Sequence, residues 1–199
     1  MKNFTRIDLL RHGETQGGAC FRGSTDDPLT DTGLDQMRSS TNGNHGWDQV
    51  ITSPLERCAS FAKAFARQRS LPITFDKRIQ EMHFGAWEGH TAAELAAKDP
   101  DALARFWSNP DGYPPPGGEP LAQFQARVLA AWNSITHRHN GQHVLVVTHG
   151  GVIRVLLCHA QQRPIGKLLE IEVKHGALYS LRVSIDSKQA RASERIGKA

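Results

Sequence analysis

The chain has 199 residues, of which 39% are hydrophobic and 22% charged, a composition that excludes wholesale disorder and allows a sizeable core. No apolar stretch approaches the roughly 20 residues that span a bilayer, and charges in the first 14 residues leave no room for a signal peptide. Three widely spaced cysteines (Cys20, Cys58 and Cys158) favour neither a disulfide framework nor a zinc cluster. We therefore expect a cytoplasmic protein without a membrane partner.

The net charge of +4 is concentrated near the C-terminus. Residues 187–199 contain Lys188, Arg191, Arg195 and Lys198 but only one acidic residue, Glu194, so the rest of the chain is close to neutral. A basic segment of this kind without aromatic residues is typical of a solvated tail. We predict one domain over residues 1–186 followed by a flexible tail over 187–199, and no nucleic-acid partner.

Short apolar runs alternate with amphipathic segments in the first third of the chain. The pattern predicts strands at residues 7–10, 49–52 and 72–75, and helices at about 31–41 and 54–69. Thr30 or Asp31 is the predicted N-cap of the first helix. Ser53 is the predicted N-cap of the second helix, with Pro54 at the first helical position, where its missing N–H costs nothing.

Residues 81–120 differ in character from the rest of the chain. Two short helical segments, 91–98 and 100–107, precede a stretch rich in proline and glycine. We interpret the region as a small cap-like insertion over the edge of the sheet, because it has no core of its own.

The last third returns to alternating elements. The pattern predicts a helix at 121–139, an apolar strand at 143–148, a helix at 150–160 and strands at 169–173 and 177–185. Strands that alternate with helices, some apolar on both faces, predict an α/β protein: a three-layer α/β/α sandwich with a mostly parallel central sheet.

Polar residues follow three of the predicted strands. Arg11 and His12 end the first, Arg57 lies in the helical turn after the second, and His149 and Gly150 follow the strand at 143–148. Because ligands of open α/β sheets bind beyond the carboxyl ends of the strands, we expect these residues to meet at one rim. Arginine side chains and helix N-termini both favour phosphate oxygens. The pattern therefore predicts a phosphate site that contains imidazoles.

The sequence contains no Walker-type loop, EF-hand loop or His-Glu-x-x-His helix, so we predict no metal site and no cofactor. His137, His139 and His143 straddle a helix end and a turn, and we interpret them as part of a solvated face. A neutral imidazole can attack phosphorus directly when its other nitrogen is held as a hydrogen-bond donor.

Four segments, in the usual order, resemble the motifs of the histidine phosphatase (phosphoglycerate-mutase-like) superfamily. They are LRHGET at 10–15, SPLER at 53–57, EMHFGAWEG at 81–89 and THGG at 148–151. The overall length, GSTDDPLT at 23–30 and FGAWEG at 84–89 resemble the bacterial α-ribazole phosphatase branch.

The resemblance implies a role for each candidate residue. His12 is the expected nucleophile that becomes phosphorylated, and Arg11, Arg57 and His149 are expected to hold the phosphate oxygens. Glu81 is the expected acid that protonates the departing alkoxide and then activates water. The expected reaction is hydrolysis of α-ribazole 5′-phosphate, in cobalamin biosynthesis, by a monomer or a homodimer.

A loop and a helix start complete the predicted site. Gly23, Ser24 and Thr25 are expected to donate N–H and hydroxyl groups to the phosphate or the leaving group, with a flexible surface loop as the alternative. Gly150 is expected to bind phosphate at the start of its helix. Glu88 is assigned to holding the loop.

Two alternatives stay open. One is a broad-specificity phosphatase, or a phosphoglycerate-mutase-like phosphotransferase, of the same fold. The other is a non-catalytic phospholigand or nucleic-acid-binding protein that uses the basic tail. Salt-dependent binding to nucleic acid that is lost on deleting residues 187–199 would favour the second.

Overall fold

The computed structural model describes residues 4–43, 45–184 and 190–192. The strands are β1 (Phe4–Arg11), β2 (Gln49–Thr52), β3 (Ile73–Phe75), β4 (His143–Thr148), β5 (Leu178–Ser184) and β6 (Ala190–Ala192). The helices are α1 (Asp31–Thr41), α2 (Glu56–Arg69), α3 (Ala92–Lys98), α4 (Pro100–Ser108), α5 (Leu121–Arg138) and α6 (Gly150–Ala160). Within the described ranges, no helix combines the length and the apolar character that crossing a membrane requires.

One mixed sheet with strand order β3-β2-β4-β1-β5-β6 organises the chain. The four strands from β3 to β1 are parallel, and β5 joins β1 in the antiparallel sense. The carboxyl ends of β1, β2 and β4 therefore lie at the same rim of the sheet. This is the arrangement that the sequence predicts, with a mostly parallel sheet at its centre.

Apolar side chains cover both faces of the sheet and form two separate cores. On one face Leu10, Leu145 and Val147 pack against helices α1 and α2. On the other face Ile7 and Val146, with their neighbours, pack against α5, α6 and the 81–120 segment. The three-layer α/β/α sandwich predicted from the sequence is confirmed.

The start of helix α2 differs from the prediction. The helix begins at Glu56 after Leu55, and the Ser53 side chain is not its N-cap. Ser53 Oγ instead lies 2.7 Å from Nε2 of His149, which is buried beside it. The start of the helix has another side-chain partner, because the N–H of Glu56 donates to Asp26 Oδ1 at 2.6 Å. Ser53 can therefore serve the buried imidazole, which needs a hydrogen-bond partner.

The strand predicted at residues 169–173 is also wrong. The chain forms a 3₁₀ helix at Ile165–Glu170 and then an irregular turn. The carbonyl oxygens of Ile171 and Val173 accept hydrogen bonds from the side chains of Arg154 and Arg11. Because arginine side chains satisfy these backbone groups, the segment has no need of a partner strand.

Of the tail predicted over 187–199, the structure describes only Ala190–Ala192. These three residues form β6, which pairs with the outer edge of β5, where the sequence predicts flexible chain. Pairing satisfies backbone groups that an edge strand otherwise exposes. The remainder of the predicted tail lies outside the described residues.

A charged residue interrupts the apolar run of β1. Asp8 is fully buried, and its carboxylate accepts hydrogen bonds from His143 Nε2 at 2.8 Å, Trp47 Nε1 at 2.9 Å and Ser180 Oγ at 2.6 Å. Arg6 Nε lies 3.2 Å from the same carboxylate. His143 is therefore buried against Asp8, which corrects its interpretation as part of a solvated face.

We expect Asp8→Asn to lower the free energy of unfolding by about 3–5 kcal/mol, because it removes one partner of a buried charged pair. Burial alone raises the pKa of Asp8, but hydrogen bonds from His143 and Ser180 and the charges of His143 and Arg6 bring the pKa below its usual value. This contribution is present above about pH 4, the unfolded pKa, and is lost as the pH falls through the folded pKa. Urea unfolding of both proteins between pH 7 and pH 3 measures the difference.

The matched control is Asp35→Asn, which removes an exposed carboxylate paired with Arg38 on α1. We expect a change within about 0.5 kcal/mol for that variant. Equal stability losses in the two variants would contradict the assignment of Asp8 to a buried network.

Candidate active site

The strand ends meet as the sequence predicts. Arg11, the last residue of β1, is in register with Thr148, the last residue of β4. The next N–H along the chain, that of His12, donates to the Thr148 carbonyl at 2.9 Å. The rings of His12 and His149 consequently lie edge to face with their centroids 5.2 Å apart.

His12 is held as a neutral imidazole, and its Nε2 has no hydrogen-bond partner among the residues that the structure describes. Its ring is only 6% exposed, and Nδ1 lies 2.8 Å from the carbonyl oxygen of Gly13. A carbonyl can only accept, so Nδ1 carries the proton and Nε2 keeps its lone pair. Burial, together with the charges of Arg11 and Arg57, holds the pKa of His12 well below its usual range. The imidazole is therefore a potential nucleophile at neutral pH.

His149 is fully buried and both of its nitrogens have partners. Arg57 Nε lies 3.3 Å from Nδ1 and, being a donor, fixes the proton of the imidazole on Nε2. Nε2 then donates to Ser53 Oγ. Burial and the Arg57 charge keep the pKa of His149 well below its usual range. Ser53, which sequence reasoning assigned to a helix cap, thus belongs to the site.

Arg57 lies in the first turn of α2 and is fully buried. Its guanidinium donates to the Thr25 carbonyl at 2.7 Å and to the Gly23 carbonyl at 2.8 Å. Burial lowers its pKa from the usual arginine value. The side chain therefore brings a buried positive charge to the rim and ties the 23–25 loop to His149.

The Glu88 carboxylate accepts hydrogen bonds from the 23–25 loop. Its carboxylate accepts from the N–H and hydroxyl groups of Ser24, at 2.9 and 3.0 Å, and of Thr25, at 2.7 and 2.6 Å. Burial opposes ionisation of Glu88, but these bonds and one from Phe84 N lower its pKa to about 2. A Cβ at Gly23 would overlap the Met82 carbonyl and Glu88, so the close approach requires glycine. The expectation that the loop donates to phosphate stays a prediction.

Arg11 brings a second positive charge, on a half-buried side chain. Burial lowers its pKa to about 10, against the opposing charge of Glu81. Its Nη1 donates to the Val173 carbonyl and its Nη2 lies 2.9 Å from His175 Nε2. Its Nε is a buried donor without a hydrogen-bond partner among the described residues.

His175 is a member of the site that sequence reasoning missed. Its ring centroid lies 5.6 Å from that of His12. Partial burial and the charges of Arg11 and Arg22 lower its pKa to about 4, so it accepts from Arg11 as a neutral ring. It lies between the strands predicted at 169–173 and 177–185, and no local signal in that stretch indicated its position.

The Glu81 side chain reaches the start of α6, where its carboxylate contacts the helix backbone. One carboxylate oxygen accepts from the N–H of Gly151 at 3.0 Å and the other from the N–H of Met82 at 3.0 Å. A Cβ at Gly151 would overlap this carboxylate, so the approach requires glycine there. Gly150, the first residue of the helix, lies against Arg11, because a Cβ on it would be 3.3 Å from Arg11 Nε.

A cavity of about 440 Å³ opens beside Glu81, large enough for a small organic group. Its lining includes the polar side chains of Ser24, Lys77, His83 and Gln123, and the 117–119 segment is also part of its wall. A larger groove of about 710 Å³ between α1 and α2 contains none of the predicted catalytic residues.

The remaining reactive groups of the described ranges are not gathered into a second centre. Among these residues no group of three or more His, Cys, Asp or Glu side chains could hold a metal ion. Cys20, Cys58 and Cys158 are all unpaired thiols. Burial raises the pKa of Cys58, which lies against His149.

Comparison with known proteins finds relatives that are named as phosphatases. An adenosylcobalamin/alpha-ribazole phosphatase of Escherichia coli is 29% identical over 96% of this chain and 94% of its own length. A metal-independent phosphoserine phosphatase of Arabidopsis thaliana is 32% identical over 92% of this chain and 80% of its own length. The chain spans about half the length, 49%, of the Mycobacterium bovis and Mycobacterium tuberculosis proteins that it matches at 34% identity.

The fold and the family agree with these matches. The solved structure of Bacillus stearothermophilus YhfR superimposes with a TM-score of 0.87 at 33% identity, covering 96% of each chain. Residues 7–194 match the family described as the histidine phosphatase superfamily, branch 1. The chain therefore belongs to the histidine phosphatase superfamily.

Proposed function

We propose that the chain is a metal-independent phosphomonoesterase that works through a phosphohistidine intermediate on His12. One observation carries this proposal: a neutral, buried imidazole, whose Nε2 has no partner among the described residues, lies beside the half-buried Arg11 and the fully buried Arg57. Their two positive charges attract a phosphate dianion, and a phosphoryl oxygen is a suitable acceptor for the unpartnered Nε of Arg11.

Each step then has a residue to perform it. The Nε2 lone pair of His12 forms a bond to phosphorus while the ester P–O bond breaks, and Glu81 gives a proton to the departing oxygen. Water then attacks phosphorus as the N–P bond breaks, and the Glu81 carboxylate takes a proton from that water. Arg11, Arg57 and the backbone of Gly150 hold the phosphoryl oxygens as negative charge moves onto them, and His149 joins them when its Nε2 proton turns from Ser53 Oγ to a phosphoryl oxygen.

We propose α-ribazole 5′-phosphate as the substrate, in cytoplasmic cobalamin biosynthesis. The similarity to the E. coli phosphatase over 94% of its length supports this choice. Phosphoserine is the second candidate, because the Arabidopsis relative has the higher identity and the cavity beside Glu81 includes Lys77 and His83, which suit a carboxylate.

Release of inorganic phosphate from a substrate panel, with a chelator present throughout, tests the proposal. The panel contains α-ribazole 5′-phosphate, phosphoserine, 3-phosphoglycerate and sugar phosphates. We expect hydrolysis that is insensitive to the chelator and a kcat/KM that is highest for α-ribazole 5′-phosphate. Activity that needs added metal would contradict the mechanism, whereas a higher kcat/KM for another ester would change only the substrate.

A further inference from the structure

Arg127 lines the cavity beside the candidate acid, together with Glu119. It is on α5, and its guanidinium donates to three carbonyl oxygens of the segment that leads to Glu81. The acceptors are Arg78 O at 2.8 Å, Gln80 O at 2.8 Å and Glu81 O at 2.9 Å. The backbone on the N-terminal side of the carboxyl group is therefore tied directly to a helix.

Glu119 completes the arrangement from the other side. Its carboxylate accepts two hydrogen bonds from Arg127, at 2.7 and 2.8 Å. Its backbone N–H donates to the His83 carbonyl at 2.8 Å, two residues after Glu81. The pair consequently holds the chain on both sides of position 81. No local sequence pattern connects the Gly117–Glu119 loop with the acid.

We propose that Arg127, held by Glu119, is a positioning residue that fixes the Glu81 carboxylate for proton transfer. This inference rests on the proposed function, in which Glu81 is the acid. With the backbone at 81 fixed, the carboxylate reaches the N–H of Gly151 at the start of α6. A general acid must lie within hydrogen-bond reach of the oxygen it protonates, so small displacements are costly.

The chemistry of the site selects arginine. The five hydrogen bonds of Arg127 use the planar array of donors that only a guanidinium provides. A lysine keeps the charge and most of the length but has a single nitrogen. Arg127→Lys therefore loosens the segment without removing the positive charge. Glu119→Gln, a second variant of nearly the same shape, weakens the pair from the other side.

The test compares two kinds of leaving group. An alkyl phosphate needs a proton on its departing oxygen, whereas p-nitrophenyl phosphate releases an acidic phenol that does not. We expect Arg127→Lys to lower kcat/KM for the alkyl ester about 10- to 100-fold and to change it much less for the aryl ester. In a Glu81→Gln background, the Arg127→Lys change is expected to have little further effect on the alkyl ester.

A control and a second variant keep the outcomes distinct. Arg163→Lys, at an exposed arginine paired with Glu170, is expected to leave both rates unchanged. If thermal unfolding shows that Arg127→Lys does not fold, Glu119→Gln is measured in its place. Equal losses on both esters, or losses that multiply with those of Glu81→Gln, would overturn the positioning role. Absence of leaving-group dependence in Glu81→Gln itself would instead overturn the acid role of Glu81.

Discussion

Replacing His12 with alanine is expected to lower kcat by at least about 10⁴-fold, because the variant lacks the atom that accepts the phosphoryl group. The residues that hold the phosphoryl oxygens remain in place, so substrate binding is expected to change far less than turnover. The steady-state rate of phosphate release and the affinity for vanadate separate these two effects.

The same residue is expected to carry phosphorus during turnover. Rapid quenching of the wild-type protein with labelled substrate is expected to trap an adduct that is stable to alkali and labile to acid, as a phosphorylated imidazole is. Peptide mapping after alkaline digestion locates the label. The geometry predicts attachment at Nε2, since Nδ1 is engaged by the Gly13 carbonyl.

A matched variant controls for the loss of an imidazole. His137 is an exposed histidine on α5, outside the site, and His137→Ala is expected to keep full activity. Label found on His149, or undiminished turnover by His12→Ala, would contradict the covalent mechanism. The buried position of His149, with both nitrogens engaged, is the reason we do not expect the label there.

The parts of the fold that the sequence predicted well are those that local patterns determine. The buried strand β4 is a run of apolar residues, and Thr30 caps α1 through the hydrogen bond that its side chain accepts from Gly33 N. In both cases the residues that decide the structure are neighbours in the sequence. The parallel sheet then brings Arg11, His12 and His149 together as a consequence of strand direction.

The structural predictions are wrong where a residue far away in the sequence determines the local structure. Ser53 looks like a helix cap, yet its partner is His149, 96 positions along the chain. The segment at 169–173 has the composition of a strand, but Arg11 takes one of its carbonyl groups. No pattern within either segment contains that information.

Asp8 is a local signal in the sequence that predicts a contact outside its own strand. A carboxylate between Ile7 and Leu9, in a run that is otherwise apolar, must find a buried partner. His143 begins the strand that pairs with β1, so its side chain is a natural candidate for that buried partner. Arg127 offers no such signal, since an arginine on an amphipathic helix is usually solvated.

Glu81→Gln is expected to separate the two chemical steps. The amide keeps the shape of the carboxylate and an oxygen that can accept from Gly151 N, but it cannot exchange a proton. For an alkyl phosphate, formation of the phosphohistidine needs a protonated leaving group, so kcat/KM is expected to fall about 10²- to 10⁴-fold. For p-nitrophenyl phosphate this step is expected to remain fast, because the phenolate leaves without a proton.

The second step still needs a base to activate water, so the phosphorylated enzyme is expected to accumulate with the aryl ester. Stopped-flow absorbance is then expected to show a burst of p-nitrophenol of about one per active site, followed by a slow steady state. Glu170→Gln, at a half-exposed carboxylate outside the site, serves as the control and is expected to show wild-type kinetics. Equal losses on both esters without a burst would mean that Glu81 orients the substrate and another group transfers the proton. A burst confined to Glu81→Gln would tie both proton transfers to this one carboxylate, because the same side chain must act as acid before the intermediate forms and as base when it is hydrolysed.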